Sequence, residues 1–240
     1  MSLLGVENVV KTYVSGTDKI HALDGISLEI EQGEFVSVMG PSGSGKSTLL
    51  AVLGGLSHPS QGRVVADDID IYSLSVEQLA DFRREYLGFV FQSYQLIPYL
   101  TVVENVMVPL VVTGYPSKKQ LEMAMTILER VGMKDKARRL PDEVSGGEQE
   151  RAAIARALVN EPPIILADEP TGNLDTATGE EIMKLFQSLN ADGQTIIMVT
   201  HNPENMKYVQ RCIRLKDGKP EMEKPKYESV MHASKLVTLR

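Results

Sequence analysis

The order of apolar runs along the 240-residue chain predicts an α/β fold: a parallel sheet core with an antiparallel β portion and an inserted helical lobe. Three observations carry that expectation. Phe35 to Met39 is a short apolar run stopped by Gly40-Pro41, and a glycine-rich turn separates it from the helical pattern of Thr48 to Leu53. Ile164 to Ala167 and Thr195 to Val199 are apolar without polar alternation, as central strands covered on both faces are. Ile182, Phe186 and Leu189 between them mark a helix, so strands alternate with helices. Such an order implies a doubly wound parallel sheet, which binds ligands beyond the carboxyl ends of its strands.

The remaining elements follow from the same periodicities. Ile26, Leu28 and Ile30 alternate with polar residues and read as a strand. From about Leu96 to Asn160 helical signals dominate: Leu121, Ala124, Leu128 and Val131 fall on one face, Ile154 and Leu158 on another. The chain therefore divides into an α/β lobe of residues 1–92 and 161–218 and a helical lobe of residues 93–160. Residues 219–240, polar and carrying Pro220 and Pro225, read as a surface extension.

Hydrophobic residues make up 42% of the chain and charged residues 24%, so a packed core is expected rather than disorder. No uncharged apolar run approaches the roughly 20 residues that cross a bilayer. The N-terminal Met1-Ser2-Leu3-Leu4 lacks a basic region followed by an apolar signal core. The expected place is the cytoplasm. Cys212, the single cysteine, cannot form an internal disulfide and reads as a small buried hydrophobe without a chemical role. A net charge of −7 argues against an extended nucleic-acid interface, and no nucleic-acid partner is expected.

Gly40-Pro41-Ser42-Gly43-Ser44-Gly45-Lys46-Ser47-Thr48 matches the P-loop pattern between a strand and a helix, which makes the core one of P-loop NTPase type. Glycines let backbone N–H groups turn inward around phosphates, helped by the positive end of the following helix. Lys46 supplies a point charge to the β- and γ-phosphates, and Ser47 a hydroxyl to Mg²⁺. Asp168 and Glu169 close a buried strand. Taken alone they read as a solvated turn; beside a P-loop, Asp168 suits the Mg²⁺ shell and Glu169 the polarising of an attacking water. Ser145-Gly146-Gly147-Glu148 opens an alanine-rich helix, either as an ordinary N-cap or as a phosphate-binding helix start. His201, just past an apolar strand, is placed to reach a γ-phosphate or to serve as a hydrogen-bonded structural residue. Gln92 and Tyr13 would by themselves pass as surface and packing residues.

All these residues, in this order, resemble the ATP-binding-cassette (ABC) ATPase family from about Leu3 to Gly218. The resemblance implies that Tyr13 stacks on adenine, that Gly40 to Thr48 is the Walker A loop, and that Gln92 links the lobes and reaches the metal. It implies a signature loop at Ser145 to Glu148, a Walker B aspartate at Asp168, a catalytic glutamate at Glu169, a D-loop at Asn173-Leu174-Asp175 and a switch histidine at His201. Lys46, Gln92, Glu169 and His201 would then be the catalytic set, with ATP and Mg²⁺ as ligands. The family further implies a head-to-tail homodimer enclosing two ATP molecules and coupled to an integral membrane permease, the chain itself lying peripheral to the cytoplasmic membrane.

Gly88-Phe89-Val90-Phe91-Gln92, Leu96-Ile97-Pro98, Leu100-Thr101, Glu104-Asn105-Val106 and Pro170 to Asp175 are similar to the lipoprotein-release and macrolide-export branch, that of LolD, MacB and FtsE. Val144 and Glu148 depart from the leucine and glutamine usual in the signature, and Glu148 brings a carboxylate towards a nucleotide. The competing reading is a switch of FtsE type that regulates a membrane complex without moving cargo. A chromosome-maintenance ATPase would need long coiled coils between P-loop and signature, and a small-molecule kinase would not need Ser145-Gly146-Gly147 or His201. Tyr94, Leu96, Ile97, Tyr99 and Leu100 form a dense apolar and aromatic stretch, read either as lobe packing or as a docking surface for the membrane partner.

Overall fold

The computed structural model describes residues 2–16 and 18–222. Two sheets organise them. Strands β1 (Ser2–Ser15), β2 (Asp18–Glu31), β4 (Gln61–Ala66) and β5 (Ile69–Asp70) form a four-stranded antiparallel sheet in the order β2-β1-β4-β5. Asp67 and Asp68, between β4 and β5, both have positive φ, as a two-residue hairpin turn that follows the strand twist requires. The second sheet, in the order β10-β9-β3-β8-β7-β6, comprises β3 (Phe35–Met39), β6 (Leu87–Val90), β7 (Ile164–Asp168), β8 (Thr195–Thr200), β9 (Arg211–Lys216) and β10 (Lys219–Met222). Its pairings are parallel except that of β10 with β9.

Side-chain alternation along the central strands divides the core in two. Phe35, Ile165, Ala167, Ile196 and Met198 face a cluster built with the helices α3 (Val102–Met107), α4 (Ser117–Arg130), α5 (Gly146–Leu158) and α6 (Thr176–Ala191). Val36, Val38, Ile164, Leu166, Ile197 and Val199 face the antiparallel sheet, α1 (Lys46–Leu53) and α2 (Val76–Tyr86). This two-sided burial is why the strands carry no polar alternation. Ser75 with Gln78, Thr101 with Glu104 and Ser145 with Glu148 form reciprocal capping boxes that start α2, α3 and α5.

Several elements differ from the sequence reading. The strand read at residues 26–30 is the end of a longer one, and β1, β4 and α2 were not read at all. Leu121 does not share the buried face of Ala124 and Leu128; it is 45% exposed. Cys212 pairs with Ser37 across β9 and β3 and is half-exposed rather than buried. The stretch read as a surface extension opens with β10, antiparallel to β9; the rest of it, residues 223–240, lies outside the described residues.

Glu150, on the inner face of α5, is fully buried, and neither carboxylate oxygen has a hydrogen-bond partner. Burial pushes its pKa up from the ordinary carboxylate value to about 9, against the pull of the Arg156 guanidinium. The fold therefore holds a proton that the unfolded chain releases, and the stability present below the ordinary carboxylate range is lost progressively as pH rises towards 9. The loss reaches at most about 1.4 kcal/mol per pH unit. Thermal denaturation between pH 5.5 and 9 should accordingly show a fall in midpoint that Glu150→Gln flattens. Parallel profiles for the two chains would mean that Glu150 is already ionised in the fold.

Candidate functional site

The register of the parallel sheet brings the ends of four strands level. Met39 lies opposite Thr200, Asp168 opposite Val199, and Val90 opposite Ala167. The residues just past those ends meet in an open cleft of about 570 Å³. Ser42, Gly43 and Gly45 line it from the loop after β3, with Lys46, Ser47 and Thr48 from the first turn of α1. Gln92, Glu169 and His201 line it from the loops after β6, β7 and β8. Ile20, His21 and Ala22 of β2 complete the wall; sequence reasoning missed them because nothing in a solvent-facing strand marks a ligand contact.

Gly45 is the residue that makes the floor. Its φ of +99° lies in the left-handed region, and a Cβ there would run into the Ala22 carbonyl oxygen. As the N-cap of α1, glycine also offers no side-chain acceptor, so the first-turn N–H groups are uncapped, whereas Ser75, Thr101, Ser145 and Asp175 cap α2, α3, α5 and α6. Lys46 is nearly buried, and its Nζ donates to the carbonyl oxygens of Gly40 and Pro41, both at 2.9 Å. Gly40, Pro41 and Ser44 do not line the cleft themselves; Gly40 and Pro41 anchor the lysine, and the buried Ser44 hydroxyl has no partner.

On the opposite wall Glu169 lines the cleft, while Asp168, the last residue of β7, does not line it and meets it through Ser47. Ser47 Oγ donates to Asp168 Oδ1 at 3.4 Å, and burial raises the Asp168 pKa despite that hydrogen bond. Glu169 has a left-handed backbone (φ +51°), uncommon for a residue other than glycine. Its N–H donates to the Val199 carbonyl at 2.9 Å. The carboxylate, 12% exposed, accepts from the His201 backbone N–H at 3.3 Å and lies 2.8 Å from His201 Nδ1, whose ring is 67% exposed.

Gln92 reaches the cleft on a segment fixed from two sides. Asn173 Nδ2 donates to the Gln92 carbonyl at 2.7 Å, and the Arg156 guanidinium donates to the carbonyls of Tyr94 and Gln95, two consecutive residues of positive φ. Tyr94, Leu96, Ile97 and Leu100 are half-buried, so of the apolar stretch read as a docking surface Tyr99 alone is well exposed, at 79%. Tyr13 does not line the cleft. It pairs with Ile20, which does, so it sits at the rim on the same face, with Lys11 Nζ 5.1 Å from its ring centroid.

Ser145, Gly146, Gly147 and Glu148 lie outside this chain's cleft. Ser145 Oγ accepts the Glu148 N–H at 3.3 Å, while Glu148 Oε2 accepts the Ser145 N–H at 2.8 Å and Oε1 stands 3.6 Å from Lys136 Nζ. The Ser145 N–H holds the Glu148 carboxyl below the usual range, ahead of the smaller contribution of Lys136. Gly147 allows the close packing of α5 on α6, since a Cβ would strike the Thr178 methyl group.

A P-loop on a parallel sheet, facing a carboxylate and a histidine, defines a nucleotide-hydrolase site. Residues 23–172 match the family model described as ABC transporter, and the chain belongs to that family. It is 47% identical over 216 residues to a macrolide export ATP-binding/permease protein, MacB, of Vibrio parahaemolyticus, covering 90% of this chain and 33% of that one. It is 44% identical over 217 residues to the lipoprotein-releasing system ATP-binding protein LolD of Syntrophus aciditrophicus, covering 90% and 97%. The dimeric, post-hydrolysis structure of the ATP-binding cassette MJ0796 of Methanocaldococcus jannaschii, bound to ADP and Pi, matches with a TM-score of 0.86 at 44% identity, over 94% of this chain and 100% of that one. Among the described residues no helix is long and apolar enough to cross a membrane.

The cap at Ser145 has a measurable share in stability. Ser145→Ala should lower the unfolding free energy of the isolated chain by about 1 kcal/mol, the usual worth of an N-cap side chain. Urea denaturation reads it, and an unchanged midpoint would show that the hydroxyl does not cap α5.

Proposed function

We propose that this chain is the ATP-binding and hydrolysing subunit of an ABC transporter, working as a homodimer around two ATP molecules and driving a membrane-embedded permease from the cytoplasmic side. The observation that carries the reading is the uncapped N-terminus of α1 on the floor of a cleft whose far wall holds Glu169 against His201. Uncapped N–H groups and a helix dipole fit a polyphosphate. Lys46, now spent on two carbonyls, can exchange them for β- and γ-phosphate oxygens, a stronger charge-assisted pairing.

Glu169 is the base that orients the attacking water, and His201 holds its carboxylate in place and reaches the γ-phosphate. Ser47 and Asp168, one hydroxyl and one carboxylate within hydrogen-bond distance, fit Mg²⁺, which is bound through few protein oxygens plus phosphates and water; Gln92 is the remaining candidate ligand. Mg²⁺ bound there would neutralise charge building up on the phosphates. Tyr13 at the rim, on the face of Ile20, offers a ring for the adenine to stack on.

The second copy enters because Ser145 to Glu148 lie away from this chain's own cleft, so any phosphate they meet belongs to another subunit; the MJ0796 cassette is dimeric. The division into an α/β lobe (residues 1–92 and 161–218) and a helical lobe (93–160) would let Gln92 transmit nucleotide state between them. Transport is preferred over a pure switch because the matched relatives are named for macrolide export and lipoprotein release.

The permease contact moves from the stretch first read to a neighbouring apolar groove of about 400 Å³, where Leu56, Phe89, Phe91, Pro109 and Val112 meet. Val112 is 68% exposed there. MacB carries ATP-binding and permease parts in one chain, so a permease segment is the fitting occupant.

Two outcomes test this reading. Glu169→Gln should keep ATP binding, lose most hydrolysis and become dimeric with ATP and Mg²⁺, since the phosphate contacts survive while the base is lost; near-normal turnover, or a monomer by light scattering, would remove Glu169 from that role. Val112→Lys should leave ATPase activity of the isolated chain within about twofold yet abolish co-purification with the permease, because docking would bury a cation in a groove that Arg83, Arg84 and Arg156 also line and that holds no carboxylate among the described residues. Retained co-purification would place the contact elsewhere.

A further inference from the structure

The segment after His201 contains a buried polar residue that the site does not use directly. Asn205, 4% exposed, lies in the short 3₁₀ helix Pro203–Tyr208, whose N-terminus Asn202 caps by accepting the Glu204 N–H. A buried primary amide is costly unless its donors are matched, and an apolar side chain would be the simpler filler. Here Asn205 Nδ2 donates to Thr171 Oγ1 and to Thr200 Oγ1, each at 3.2 Å.

Those two hydroxyls belong to the two segments that meet in the cleft. Thr171 stands two residues after Glu169, in a turn closed by the Gly172 N–H on the Glu169 carbonyl at 2.9 Å. Thr200 is the fully buried last residue of β8, immediately before His201, and its Oγ1 also accepts the Asn202 N–H at 3.1 Å. No pair of the parallel ladder extends beyond Asp168 on β7 and Val199 on its neighbour. Past that point the segments are joined by the Glu169–Val199 backbone bond, the Glu169–His201 contact and the Asn205 amide.

We propose that Asn205 is a positioning residue for ATP hydrolysis: its buried amide ties Thr171 to Thr200 and so fixes the Glu169 carboxylate against His201. It does not line the cleft and touches no reacting atom. Its effect passes through Glu169, so the inference rests on the reading of Glu169 as the base. Without the tie the turn carrying Glu169 is free to move relative to His201. Misplacement of a catalytic group by a fraction of an ångström slows the chemical step while leaving the phosphate contacts of Lys46 and α1 intact.

The test uses the full chain with ATP and Mg²⁺. Asn205→Leu keeps the volume and removes the donors; kcat should fall by about tenfold to a hundredfold while KM for ATP stays within about twofold and nucleotide-driven dimerisation persists. Thr171→Val, on a half-buried side chain, removes one acceptor with little risk to folding and should lower kcat in the same direction. The double variant should be no worse than Asn205→Leu alone, because both changes break one link. A normal kcat in Thr171→Val, additive losses in the double variant, or a rise in KM as large as the fall in kcat overturns the proposal. Glu169→Gln measured in the same series separates the two readings. If it is inactive while Asn205→Leu turns over normally, the positioning role alone fails; if it turns over normally, the assignment of the base fails first.

Discussion

The constraint on which the site depends is the parallel pairing of β3, β8, β7 and β6. Parallel strands finish on one edge of a sheet, and the observed register makes them finish at one level. A loop of glycines after β3, a carboxylate after β7, a histidine after β8 and a glutamine after β6 are far apart in sequence and meet because their strands stop together. Each strand must also be apolar on both sides, with helices on one face and the antiparallel sheet and α1 on the other, which explains why the core is split into two clusters by the sheet itself. The chemistry is thus carried by residues at or just past the ends of helices and strands, held by elements with little freedom to move.

Between the cleft and the helices α3 to α5, the connection runs through α5 itself. Arg156 holds the Tyr94 and Gln95 carbonyls, and the Tyr94 hydroxyl stands 3.0 Å from where a Cβ on Gly146 would be. Burial lowers the Arg156 pKa, against the nearby Glu150, and the guanidinium hydrogen bonds go to these backbone carbonyls. From the other side Asn173 holds the Gln92 carbonyl. The segment from Gln92 to Gln95 is therefore gripped by α5 and by the loop that follows Glu169, and a shift of either is felt at Gln92.

Much of this was legible in the sequence wherever local pattern and burial agreed. β3, β7 and β8 stood out because two-sided burial leaves apolar runs, broken in β3 by the buried Ser37, and the P-loop because its glycines are demanded by backbone conformation at Gly43 and Gly45. β1 and β4 were not legible, since their buried residues are interleaved with exposed ones and register shifts break the alternation. Leu121 was misplaced because a helical face read from spacing alone has no information on where the neighbouring element ends. The tie made by Asn205 left no mark either: an asparagine two residues after a proline reads as a loop residue, and its burial follows from the meeting of three segments.

The departure at Glu148 shows how a local hydrogen bond settles a question that composition poses. A carboxylate at the head of α5 would repel a phosphate if it pointed outward. Instead one oxygen is taken by the Ser145 N–H and the other is drawn to Lys136, and the helix N-terminus itself favours a negative charge. Ser145 enters the same box as an acceptor through its oxygen, which leaves its hydroxyl proton available to donate. The capping reading and the phosphate reading of Ser145 to Glu148 are then compatible. The cap fixes the side chains in place, and the hydroxyl proton together with the uncrowded backbone of Gly146 and Gly147 is what the head of α5 can offer to a phosphate held in the cleft of a second copy.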